Sequence, residues 1–347
     1  MCAHFLLSKK SLSEKYQSLI SAGFLVSYSF KTNPEVGSIL EKDTDCDISI
    51  HYIDSLKNIS DTKRVWFLTQ ALTKESLDSL WTQGVRKYII DNEEDLSFFL
   101  GFIEDKSEKV DLLLRMKLQE KTVMTGRYYV FGISPKKINN LIPQLRNNKN
   151  IQRLGIHFHR KTQNVSEWNL TEELQEWITP ENFSHIDLLN IGGGFPSCYV
   201  NSKDSYLSVV FEKLEKLKEW LKNDHDTKLM VEPGRFLCAE PVRLHTKVIQ
   251  VVDNTIIVDC SVYNSSMDTI LVPLKLLVAG EQEVGNSYII KGNTPCSMDI
   301  FRYDVKFSHK PKIGDNLVFL NAGAYNFKTE FCHLPKLETK VVDDFPD

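Results

Sequence analysis

The 347-residue sequence contains no C-x-x-C, and its seven cysteines, at 2, 46, 198, 238, 260, 296 and 332, are odd in number and far apart. That argues against a disulfide framework or a zinc ribbon. It fits a reducing, cytoplasmic setting in which a single cysteine is most often a small buried hydrophobe. No apolar stretch approaches the ~18 residues that span a bilayer, so no membrane partner is expected. The opening apolar run, Met1–Leu7, is too short for a signal peptide, and lysines follow it instead of preceding it. Strong charge of one sign is also missing. The net charge is −4 with Lys and Arg scattered, which leaves no nucleic-acid footprint. Repeats, low-complexity tracts and disordered linkers are absent.

What is present is a balanced globular composition, 42% hydrophobic and 25% charged, long enough for one large barrel plus a smaller domain. Apolar runs near residues 24–30, 47–52, 65–69, 87–91, 111–116, 154–158, 186–191 and 229–232 read as strands. Helical patterning at 74–83, 93–102, 135–147, 166–178 and 206–223 lies between them. Eight strands alternating with helices predict a (β/α)8 TIM-type barrel over 22–240, in the α/β class. Continuous apolar strands such as Leu112-Leu113-Leu114 suit a parallel sheet buried on both faces. After about Glu240 the helical periodicity fades. Runs at 248–253, 255–258, 287–290 and 316–320 predict a second, C-terminal β domain over 241–347, joined by residues 1–21 with their helix at 12–21.

Functional groups of such a barrel collect at the C-terminal ends of its strands. Lys31 ends the first strand. A functional lysine there must be partly desolvated so that its free amine can attack a carbonyl; a solvated lysine is the plainer reading. His157-Phe158-His159 closes the sixth strand with both histidines on one face, either as polar residues of the mouth or as a zinc-ligand pair. Gly192-Gly193-Gly194 follows Leu188-Leu189-Asn190-Ile191 and forms either a tight turn or a phosphate-binding loop. Glu232-Pro233-Gly234-Arg235 ends the eighth strand, setting a carboxylate and a guanidinium around a fixed bend; the guanidinium suits phosphate, and a local ion pair is the bland alternative. In the β domain, Gly292–Asp299 is a polar loop carrying Cys296 and Asp299, and Asn321–Asn326 is a small-residue turn presenting Tyr325.

Taken in order, these segments resemble the ornithine/diaminopimelate decarboxylase family, pyridoxal 5′-phosphate (PLP) enzymes of the alanine-racemase-like fold (fold type III). Six segments match across nearly the whole chain: Tyr28 to Lys31, Gly155 to His159, the Gly192 to Gly194 loop with Phe195-Pro196, the Glu232 to Arg235 motif, the Cys296 loop and Gly323 to Tyr325. Arg115 and Phe131-Gly132 are weaker echoes. The resemblance implies an amino-acid decarboxylase in which Lys31 forms the Schiff base with PLP and His159 stacks on the ring. It further implies that Gly192, Gly193, Gly194 and Arg235 hold the phosphate, with Tyr325 adding a hydroxyl, and that Glu232 pairs with the pyridine nitrogen. A carboxylate there keeps the nitrogen protonated, a strong electron sink that favours decarboxylation over racemisation. Cys296 would protonate the product, reaching over from the partner of a homodimer with shared active sites.

This chain also departs from the family. His159-Arg160-Lys161-Thr162 stands where the family reads His-x-Gly-Ser, so Thr162 would replace the serine at the phosphate and Arg160 and Lys161 add two cations. Ser297 and Val272-Pro273 replace the acidic residues that hold a distal amine in the polyamine branch, and Asp299 lies one residue closer to Cys296 than the family's second loop carboxylate. The segment before the barrel is shorter than is typical. Losing both acids argues against ornithine or lysine. It points to a specialised biosynthetic substrate, of the kind met in siderophore or peptide-antibiotic production, anionic enough to use Arg160 or Lys161, with Asp299 as a further substrate contact. The alternatives are a racemase or epimerase of the same fold, a non-catalytic PLP-binding protein, and a zinc hydrolase built on His157 and His159. No metal is expected.

Overall fold

The computed structural model describes residues 2–118, 131–160, 163–164, 167–326 and 333–346. The chain forms two compact units. One is Ser18–Phe195 with Tyr206–Gly234; the other is Met1–Gln17, Pro196–Ser205 and Arg235–Asp347.

Strand β1 (His4–Ser8) opens the chain in the second unit. The first unit is a closed barrel of β2 (Leu25–Ser29), β3 (Asp47–Ile50), β4 (Val65–Thr69), β5 (Lys87–Ile90), β6 (Val110–Arg115), β7 (Ile151–His157), β8 (Leu188–Asn190) and β9 (Lys228–Val231). Every neighbouring pair is parallel, and β9 closes onto β2 through Leu25–Met230 and Val26–Val231. All eight expected strands are there. Leu112, Leu113 and Leu114 are each fully buried, as required of a strand with interior on one face and helices on the other. Trp66, Leu68, Ile89, Leu113, Leu188 and Met230 form one core cluster. Local chemistry sets the helix starts: Asn33, Thr73 and Asn92 accept from backbone N–H groups of the first turns that follow them.

The second unit is a mixed sheet in the order β12 (Leu277–Val278), β15 (Asn316–Leu320), β10 (Val242–Val252), β11 (Thr255–Val258), β13 (Asn286–Lys291) and β14 (Ile300–Phe307). Strand β1 lies antiparallel to β10 and parallel to β16 (Glu338–Val342). The pattern reading missed β1 because Phe5, Leu6, Leu7 and Ser8 are all buried, so the strand shows no alternation to read. It missed β14 and β16 because charged side chains interrupt them.

Candidate active site

The barrel strands deliver the expected groups at their C-terminal ends. Lys31 sits in a single helical turn, Phe30–Thr32, directly after β2. Phe30 and Thr32 are buried on either side while Lys31 itself reaches solvent. Its ammonium is nevertheless held below the ordinary lysine range, because the surrounding mouth strips away water. Glu232 opposes that shift and Arg115 adds to it. A lysine that is accessible yet poorly hydrated is the state in which a free amine is available.

Glu232 follows β9 and is the best-supported group in the barrel. Its Oε1 accepts from Ser49 Oγ at 2.7 Å and Asn190 Nδ2 at 3.0 Å, and its Oε2 lies 3.3 Å from His157 Nε2. Burial alone pushes the carboxyl pKa up, but His157, Ser49 and Asn190 together outweigh it and hold the group well below the usual carboxylate range. Ser27 Oγ stands 2.7 Å behind Ser49 Oγ, so with Ser49 donating to Glu232, Ser27 donates to Ser49.

The glycine loop folds onto the neighbouring strand ends. Gly192 has φ +67° and Gly194 φ +102°, and a Cβ on Gly192 would come within 2.5 Å of the Phe158 carbonyl oxygen. A Cβ on Gly193 would stand 2.6 Å from the Glu232 carbonyl oxygen. Only glycine permits that approach. The Gly193 N–H donates to His159 Nδ1 at 3.1 Å, which fixes the neutral tautomer with its proton on Nε2. Loss of water around the ring first, then Arg115, His157 and Lys31, keep the His159 pKa well below its ordinary value, against the pull of Glu232. Both histidines are thereby committed, His157 to Glu232 and His159 to the loop.

Other mouth groups were less legible. Arg115, at the end of β6, lies 3.6 Å from Asp91 and over the Phe131 ring at 4.8 Å. His51 directly follows β3 and donates through Nδ1 to the Leu68 carbonyl at 3.1 Å. Its pKa is pushed down to about 4, by burial and then by Lys31.

In the second unit, Arg235 is buried and bound to Asp268, Nη1 at 2.5 Å and Nη2 at 3.3 Å, while Nη1 also meets the Tyr199 hydroxyl at 3.1 Å. The guanidinium stands 5.1 Å over the Tyr325 ring. Cys296 is half-buried, with Sγ 2.8 Å from the Tyr263 hydroxyl. That contact, followed by the Met298 backbone, lowers the thiol pKa.

Two expected substrate contacts are corrected by the geometry. Asp299 is fully buried; its carboxylate accepts from Val262 N–H at 2.9 Å, Thr294 N–H at 3.0 Å and Thr294 Oγ1 at 2.6 Å. It staples the Cys296 loop from the interior, where its carboxylate is closed off from solvent. Arg160 is buried between Glu167, at 2.9 Å, and Glu173, because two carboxylates on the following segment neutralise it more readily than solvent or ligand. Thr162 and Lys161 lie outside the described residues. Ser49, Asn190, Tyr263 and Asp268 were missed. Of these only Asn190 carried a signal, an amide inside the apolar run Leu188–Ile191.

Comparison with known proteins follows the same lines. The family described as "Pyridoxal-dependent decarboxylase, pyridoxal binding domain" matches residues 54–239. Diaminopimelate decarboxylase of Staphylococcus aureus is 25% identical over 287 residues, covering 76% of this chain and 67% of that protein. A second S. aureus protein, 2-[(L-alanin-3-ylcarbamoyl)methyl]-2-hydroxybutanedioate decarboxylase, is 24% identical over 192 residues, 52% of this chain and 48% of that one. The crystal structure of lysine decarboxylase from Selenomonas ruminantium superposes with a TM-score of 0.83 at 20% identity, covering 99% of this chain and 93% of the other, and shares the fold. With more than half of its length matched on a barrel whose mouth carries an ionised carboxylate and a desolvated lysine, this chain belongs to the pyridoxal-dependent decarboxylases, whose cofactor is pyridoxal 5′-phosphate.

Proposed function

We propose that this enzyme removes carbon dioxide from Cα of an amino acid whose far end carries acidic groups and no free ammonium, with PLP attached through Lys31. The residues fit the cofactor. Lys31 offers an amine with a lowered pKa, Gly192 and Gly193 let the loop pack directly on the Phe158 and Glu232 backbone at the strand ends, and a buried N–H of Arg235, on Nε, has no partner among the described residues. PLP supplies an electron-withdrawing ring that takes up the electron pair left when the Cα–carboxylate bond breaks.

The chain's own residues do the rest. With the cofactor bound, Glu232 would hold a proton at the ring nitrogen, His159 would offer its neutral ring to the cofactor, and Gly192, Gly193, Gly194 and Arg235 would receive the phosphate with Thr162 and Tyr325 as hydroxyl donors. Cys296 returns a proton to Cα and does so in a homodimer in which each copy completes the other's site.

The Glu232 carboxylate, placed at the barrel mouth with Ser49, Asn190 and His157 directed at its two oxygens, is the observation that carries decarboxylation over racemisation, because a racemase profits from a weaker electron sink. The substrate class rests on Ser297 and Val272-Pro273, which leave no carboxylate for a distal amine. The hydroxybutanedioate named for the second S. aureus relative supports an acidic substrate. Purified enzyme should be offered that compound, meso-diaminopimelate, lysine and ornithine, with released CO2 and deuterium exchange at Cα both measured. CO2 release highest with the acidic compound is expected. Exchange without CO2 would make the enzyme a racemase, and preference for lysine or ornithine would overturn the substrate assignment.

A further inference from the structure

Arg235 presents two separate hydrogen-bonding edges, and the structure uses only one. The terminal edge, Nη1 with Nη2, is taken by the Asp268 carboxylate at 2.5 and 3.3 Å. The second Nη1 proton meets Tyr199 at 3.1 Å. What remains is the lateral edge, where Nε–H and the outer Nη2–H point the same way, a fork suited to two oxygens of one anion. Nε is buried and has no acceptor among the described residues, on a side chain only 3% exposed. The Nε of Arg64, Arg160 and Arg302 is buried without a hydrogen-bond acceptor among the described residues as well, so the open edge is no signal by itself; what singles out Arg235 is its place in the chain, four residues after β9, in the segment assigned to the phosphate above.

We propose that Asp268 is a positioning residue for the cofactor phosphate. It grips the terminal edge of Arg235, with Tyr199 on the same nitrogen, so that the lateral edge is held ready for two phosphate oxygens. Burial keeps Tyr199 a neutral phenol, and Asp268 compensates the guanidinium charge while no phosphate is bound, which a buried cation otherwise lacks. Tyr325, whose ring lies 5.1 Å from the guanidinium, closes one of its faces. This inference rests on the assignment of Arg235 to the phosphate made above, and the test separates the two.

Apoenzyme is titrated with PLP and with pyridoxal, which lacks the phosphate, and both dissociation constants are read from absorbance and from tryptophan fluorescence, without any turnover. Asp268→Ala is expected to weaken PLP at least about tenfold, the loss of roughly one charge-assisted contact, and to leave pyridoxal unchanged. Asp268→Asn, of the same size, is expected to show a smaller loss of the same selectivity and replaces the alanine variant if that one does not fold. Arg235→Met is the reference. If it weakens PLP selectively while both Asp268 variants leave PLP unchanged, weaken both ligands alike, or tighten PLP, the positioning role is wrong and the Arg235 assignment stands. If Arg235→Met fails to separate PLP from pyridoxal, Arg235 does not hold the phosphate, and both statements fall.

Discussion

Asn190 shows how much a single side chain decides at this site. Its Nδ2 donates to Glu232 and its Oδ1 accepts from the Gly192 N–H at 2.9 Å, so one amide ties the carboxylate to the glycine loop. An aspartate of the same shape would set a second negative charge against Glu232, raise the carboxylate pKa and weaken the hold on a protonated ring nitrogen. Asn190→Asp is therefore expected to lower kcat for CO2 release about tenfold, equivalent to ~1.4 kcal/mol in the barrier, with PLP still bound. An unchanged kcat, measured beside the PLP dissociation constant, would remove the clamp from the account. Lys31, Glu232 and the three glycines were legible because each breaks the apolar pattern at a strand end. Ser49 was not, since a serine inside Asp47–Ile50 is chemically quiet until Glu232, 183 positions away, is folded against it.

The loop Gly292–Asp299 and the short helix Val262–Ser265 act as one element. Asp299 accepts from the Val262 N–H, and the adjacent Tyr263 meets Cys296. Because Tyr263 lowers the thiol pKa, and because a proton donor must be protonated to act, activity should fall as pH rises through that pKa. Tyr263→Phe removes the stabilising contact and is expected to move the alkaline limb of the kcat profile to higher pH; a limb that stays in place would exclude Cys296 as the titrating donor. Asp299→Asn turns an acceptor into a donor facing buried N–H and O–H groups and should cost about 1–3 kcal/mol of stability. Denaturant unfolding measures that loss, with KM for the substrate unchanged; a raised KM at full stability would restore Asp299 as a substrate contact. The loop could be read as a unit in the sequence, but its partners could not, because nothing in local pattern joins positions 33 residues apart.

At the scale of the whole molecule, the barrel was readable because parallel strands buried on both faces leave long apolar runs, and the sheet was less so because half-exposed edge strands do not. Gly155 in β7 shows how tightly the barrel closes: a Cβ there would collide with the Leu188 carbonyl of β8. Gly155→Ala is expected to cost about 3 kcal/mol or more, read as a lowered denaturation midpoint, and a stability equal to the parent would show that the strands can part at no cost. The central claim is covalent attachment at Lys31. Enzyme isolated with PLP should absorb near ~420 nm, the signature of Schiff-base chemistry. Borohydride reduction followed by peptide mass analysis should find the pyridoxyl group on Lys31, with the band lost in Lys31→Ala. A label on any other lysine, or a band that survives the substitution, would contradict the account.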